Sequence, residues 1–205
     1  MAIESAEQVR EKHIRDMGPK LGVVYDLLWN EVVWLHAKWI QYRQLYAHSP
    51  ERVAFLNNVA GHFFGVVQRT LLDDVLLHLA RLSDPPKSNR LTLQRLPKLA
   101  LDPALGKELK GLVQAACRAC DSARSSRNRR IAHTDFACAL ASTFDPLPSR
   151  ADVEAALSAI RAVLHRLEAH YWQSETGYEH FCAAGGDADS LVRYLLNRYS
   201  PYAGL

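Results

Sequence analysis

Apolar positions recur along this chain at intervals of three and four residues almost throughout, the spacing of α-helices that each bury one face. From Pro19 to Tyr46 the series Val24, Leu28, Val32, Leu35, Trp39, Tyr42 and Tyr46 predicts one long helix. Ahead of it, residues 3–16 read as a polar first helix closed by the Gly18-Pro19 breaker. Ser49 and Pro50 stop the long helix and supply the N-cap and first position of another over 50–82. Its expected inner face is Phe55, Val59, Phe63 and Val66, then Leu72, Leu76 and Leu79. Gly61 and Gly65 lie inside it at a cost of about 1 kcal/mol each relative to Ala, which marks a close helix crossing or a kink.

The stretch SDPPKSNR at 83–90 reads as a loop, and Thr92 then caps a short helix ended by Pro97. Asp102 and Pro103 open the next helix, with Leu105, Leu109, Leu112, Ala116 and Ala119 inward. After a break at 142–149, Val153, Leu157, Ile160, Leu164, Leu167 and Tyr171 form another seam, and a short helix spans about Asp189 to Tyr199. No strand-like alternation competes with this pattern. The expected fold is therefore all-α: an antiparallel helical bundle of four to five main helices over residues 1–174, and a C-terminal extension, 175–205, docked on the bundle or on a partner copy.

Composition changes this picture little. Of 205 residues, 48% are hydrophobic and 23% charged, as in globular chains, and the net charge of +3 does not by itself call for nucleic acid. No apolar run reaches the ~18 residues of a membrane span, and the charged N-terminus lacks a signal peptide's apolar middle, so a cytoplasmic protein without a membrane segment is expected. Cys117, Cys120, Cys138 and Cys182 are then free thiols. The Cys117–Cys120 CxxC stands alone within a helical pattern, which argues for packing rather than zinc. His36, His48, His62, His78, His165 and His170 are scattered without metal-binding spacing; Asp74 and His78 are better neighbours than ligands. No metal and no cofactor are expected, and glycine-rich phosphate loops and GxSxG elbows are absent.

Local charge is another matter. RACDSARSSRNRRIAH, residues 118–133, gathers five arginines against the single carboxylate Asp121. Arginine forks pair with phosphate oxygens and stay charged at any physiological pH, which makes Arg124, Arg127, Arg129 and Arg130 candidate RNA-backbone contacts. His133, with an ordinary pKa of about 6.5, can take and give a proton near neutrality. On a continuous α-helix it lies about 120° around from Arg127, a gap that arginine's length, a helix break or a second subunit closes. The bland reading is a solvated basic face with a structural histidine.

Arg127 to His133, with five residues between, resembles the HEPN superfamily motif of an arginine, often followed by a polar residue, and a histidine after four to six positions. WLHAKWIQYRQLY at 34–46, LLDDVLLHLARLSD at 71–84 and RNRRIAHTD at 127–135 further resemble the AbiU-type abortive-infection branch of that superfamily, over roughly residues 25–172. The resemblance implies a homodimer whose two motifs line one cleft and cleave RNA without a metal, in phage defence or as a toxin with a cognate antitoxin. His133 would handle the proton of the 2′-hydroxyl or of the 5′-oxygen, Arg127 would hold the phosphate, and Asn128 would help position it. Asp135 stands where many HEPN toxins paired with a nucleotidyltransferase antitoxin carry a tyrosine, so regulation through that tyrosine is not expected. The alternative is a non-catalytic HEPN-like module that binds RNA or a protein partner. Trp29, Trp34 and the C-terminal LVRYLLNRYSPY are candidate dimer-face residues.

Overall fold

The computed structural model describes residues 5–87, 89–128, 147–180 and 185–198, and every regular element among them is helical. Arg129, Arg130, His133 and Asp135, like Cys138 and Cys182, lie outside the described residues. Helix α1 spans Ala6–Met17 and starts from a capping box in which the Ser5 hydroxyl accepts from Gln8 N and the Gln8 side chain accepts from Ser5 N. It stops at Gly18, whose φ of +82° suits a residue without a Cβ, and Pro19 begins α2, Pro19–Tyr46. Gly22 is where α1 meets α2. A Cβ there would stand 2.4 Å from the His13 carbonyl oxygen, a backbone atom with no room to retreat.

The predicted stripe of α2 is largely inside. Leu28, Val32, Leu35 and Trp39 are buried, joined by Leu21 and Tyr25, while Val24, Tyr42 and Tyr46 are half-buried. Helix α3, Pro50–Ser83, takes its N-cap from the Ser49 hydroxyl, which accepts from Arg52 N at 3.2 Å. The kink alternative holds, not the close crossing: Ala60 departs from helical geometry (φ −161°, ψ 63°), and nothing stands within 4 Å of a Cβ added at Gly65. The inner face of α3 also differs from expectation. Leu56 and Phe64 are buried, whereas Phe63 and Val66 are 60% and 53% exposed. Phe63-Phe64 and Val66-Val67 offer two apolar stripes one residue apart, and periodicity alone cannot choose between stripes that differ by about 100° of rotation.

A 3-10 turn, Leu93–Arg95, leads into the short α4, Leu96–Leu99. Pro97 lies in the first turn of α4 and so begins that helix instead of ending it, because the proline's missing N–H is not needed there. Asp102 caps α5, Pro103–Ala119, by accepting from Ala104 N at 2.8 Å. Val113 takes the buried place expected of Leu112, in line with Leu105, Leu109 and Ala116. Helix α6, Asp121–Ser126, follows a break at Cys120, and α7, Arg150–Trp172, opens with a Ser149/Asp152 capping box. Helix α8 is Ala188–Arg198.

The described residues of Met1–Trp34 and Leu76–Thr176 form one compact unit, and those of Leu35–Val75 and Gly177–Leu205 a second. In the first, α5 packs along α7, and α4 lies against α5. In the second, Leu45, Leu56 and Phe64 enclose Ala188 and Val192 of α8, and Gln41 and Gln44 bind Ala188 N and the Asp187 carboxylate at 2.7 Å each. Among the described residues no helix is long and apolar enough to cross a membrane.

Candidate functional site at the end of α3

The basic segment is held by the point where α3 runs out. The Ser83 hydroxyl turns back on the Leu79 and Ala80 carbonyls, and Pro85-Pro86 forbids another helical turn, so Asp84 sits at the helix's C-terminal end. A carboxylate is unwelcome at that negative pole and needs cations nearby. Two arginines supply them. Asp84 Oδ2 accepts from Arg127 Nη1 at 2.6 Å and from Arg90 Nη1 at 3.2 Å, and the Asp84 side chain is 7% exposed. Arg127 Nε also donates to Asn128 Oδ1 at 3.0 Å.

Arg124 is committed differently. It donates to the Ser83 carbonyl at 3.3 Å and pairs with Asp121, which fastens α6 to the end of α3. Gln94 Nε2 completes the brace, donating to the carbonyls of Ser83 at 3.0 Å and Asp84 at 3.2 Å. Arg127 and Asn128 follow α6 in a wider, π-type turn, a geometry that often accompanies functional positions.

Arg127, Asn128, Asp84, Arg90, Arg81 and two leucines, Leu77 and Leu91, line a cleft of about 540 Å³. Three guanidinium groups and one carboxylate line it, and Arg81 lies 3.6 Å from Glu31, which leaves one positive charge in excess among the described residues. Among the described residues nothing takes the Nη2 hydrogens of Arg127. One arm of the guanidinium is fixed by a buried acid, so an anion bound by the other arm would cost little further side-chain entropy.

The family model HEPN AbiU2 matches residues 18–184. The chain belongs to the AbiU2 family of HEPN proteins. Both the Asp84–Arg127 pair and the arginine-histidine motif of this AbiU2 protein lie inside the matched span. No curated protein and no solved structure matches the chain.

Of the expected site residues, Arg127 and Asn128 line the cleft and Arg124 braces it, while Arg129, Arg130 and His133 lie outside the described residues. Sequence reasoning missed Asp84, Arg90 and Arg81. The available signal was an acid placed at a helix C-terminus directly before two prolines, where a capping cation is the norm. Cys117 is half-buried and Cys120 buried; both are free, and burial pushes both thiols up, that of Cys120 to about 12. Protonated thiols are poor metal ligands and poor nucleophiles. His78 pairs with Glu31, and among the described residues no three His, Cys, Asp or Glu side chains group to hold a metal.

Proposed function

We propose that this AbiU2 protein is a metal-independent endoribonuclease of a phage-defence or toxin-antitoxin system, acting as a homodimer. The observation that carries the reading is the Arg127 guanidinium, held by buried Asp84 at the mouth of a cleft with surplus positive charge. In this reaction the 2′-oxygen attacks the adjacent phosphorus and the bond to the 5′-oxygen breaks. His133 and its copy on the partner take the 2′-hydroxyl proton and give one to the leaving oxygen. Arg127 stabilises the charge building on the phosphoryl oxygens, Asn128 fixes its orientation, and Arg124, Arg129 and Arg130 draw the strand in. The products are a 2′,3′-cyclic phosphate and a 5′-hydroxyl.

The test is single-stranded RNA incubated with purified protein in EDTA, with product ends read by mass spectrometry and the oligomeric state by light scattering. Cyclic-phosphate ends from the wild type and intact RNA from a dimeric His133→Ala variant are expected. RNA that stays whole with folded, dimeric wild type would overturn the nuclease reading. Retained binding in that case would favour the non-catalytic RNA-binding alternative.

A further inference from the structure

A second cleft, of about 590 Å³, is bordered by α4 and α5. Lys98 of α4 and Lys107 and Lys110 of α5 stand around it, with Gln94 and Gln114 between them and Val113 on its floor. All three lysines are exposed, and among the described residues none has an ion-pair partner. The acids of the neighbourhood are engaged elsewhere: Glu108 pairs with Arg166, Asp121 with Arg124, and Asp102 caps α5.

The basic face has a direction. At about 100° per residue, Lys107, Lys110, Gln114 and Arg118 fall within about 80° of each other around α5, opposite the buried Leu105, Leu109 and Ala116. Lys110 and Cys117 are separated by about 10 Å of helix rise. Cys117 Sγ lies 3.5 Å from the Ser83 carbonyl, the same oxygen that Gln94 and Arg124 hold. One stretch of chain, residues 90–98, contributes to both clefts. Arg90 and Leu91 face the Arg127 cleft, and Gln94, Pro97 and Lys98, a few residues on, face the lysine cleft. Gln94 itself reaches through to the backbone of Asp84. At Gly106 α4 approaches α5 so tightly that an added Cβ would be 3.0 Å from the Pro97 carbonyl oxygen.

We infer that this lysine cleft is a flanking subsite for the RNA strand, binding the phosphates next to the one held by Arg127. The inference rests on the nuclease reading above for its choice of RNA. Three ammonium groups without an ion-pair partner among the described residues fit a phosphodiester backbone, and the Val113, Pro97 and Ala100 surface accepts the face of a sugar. Among the described residues no aromatic ring lines it, so they offer nothing on which to stack a base, and the subsite selects charge and chain length over sequence.

The experiment measures binding of a 2′-O-methylated, hence uncleavable, single-stranded 12-mer by fluorescence anisotropy between 50 and 300 mM salt. Wild type is compared with the Lys98→Gln, Lys107→Gln, Lys110→Gln triple variant, folded by circular dichroism. Affinity should fall at least tenfold at low salt, and the slope of log K against log salt should become shallower by about 2, near 0.7 per lost phosphate contact on a single strand. A trinucleotide of the same chemistry should show a much smaller difference. Equal affinity and slope for the 12-mer, or a loss of affinity with the slope unchanged, would overturn the subsite. Cleavage of unmodified RNA is scored separately, so a protein that binds through these lysines without cutting defeats only the nuclease reading.

Discussion

Two carboxylates of the first unit are about equally buried and are used in different ways. Glu168 of α7, 1% exposed, accepts from the Tyr25 hydroxyl at 2.7 Å, the Thr176 hydroxyl at 2.9 Å and Thr176 N at 2.7 Å. Beside it His13 bonds Asp26 at 2.9 Å within a box of Tyr25, Trp29 and Trp172. These polar groups tie α1, α2 and α7 together. Asp84, 5% exposed, holds instead two guanidinium groups that turn their remaining N–H donors toward an open cleft. Burial of an acid is therefore no mark of a site. What its partners face decides whether it stiffens the core or arms a surface.

The largest expected effect separates the two directly. Arg127→Lys keeps a cation for Asp84 but loses the fork, and RNA cleavage should fall by about 10²–10³-fold, the usual cost of removing a preorganised donor from a developing anion. Stability should change by less than about 1 kcal/mol. Initial-rate kinetics on an end-labelled oligonucleotide, beside urea melts, check both halves. Full activity in Arg127→Lys would demote this guanidinium to a structural clamp.

Glu168→Ala should do the reverse. It removes the carboxylate that accepts from the buried Tyr25 hydroxyl and the part-buried Thr176 N–H, at a cost of about 3 kcal/mol in urea unfolding. Cleavage per folded molecule should stay at the wild-type rate. A variant as stable as wild type would mean that these hydrogen bonds contribute nothing net.

How far each region could be read in advance follows from the kind of interaction. The α2 stripe was legible because burial of a continuous helix face is a local pattern, and so was the start of α7 directly after the break at 142–149. Arg127 was legible through its spacing from His133 and the charge around it. Asp84 was not, because its partner is 43 residues away and SDPPKSNR reads as a solvated loop, until Gln94 and Arg124 are seen closing over its backbone. Phe63 and Val66 were misplaced because each has an apolar neighbour one position on, at 64 and 67. The buried Tyr25–Glu168 bond spans 143 residues and left no local trace.

Asp84→Asn sharpens the contrast at smaller scale. The amide keeps the shape but not the charge, and a charge-assisted bond worth roughly 1.5–3 kcal/mol weakens to an ordinary one. Cleavage should fall about tenfold, carried by the rate at saturating RNA, with Asp84→Glu recovering part of the loss. Unfolding free energy should move by about 1 kcal/mol or less. An equal loss from Asp84→Asn and Asp84→Glu, accompanied by a matching loss of stability, would assign Asp84 to the same structural role as Glu168.

The smallest effect comes from an acid that is neither buried nor near the cleft. Asp152 lies on α7 with Glu168, but its carboxylate is exposed and accepts from the Ser149 hydroxyl and N–H, both at 2.8 Å. The hydroxyl first, then the backbone N–H, hold its pKa below the ordinary 3.8. A depressed folded-state value means the unfolded chain takes up the proton first as pH falls. The stabilisation is then fully present above the ordinary value and is lost as pH falls through the lowered one. Asp152→Asn should therefore lower the melting temperature slightly at pH 7, and the gap to wild type should close as the buffer is taken below pH 3.8. RNA cleavage at pH 7 should not change. A gap that persists unaltered into acid would show that the cap acts through the shape of the side chain and not through its charge, leaving Asp84 as the acid whose ionised form matters to the proposed chemistry.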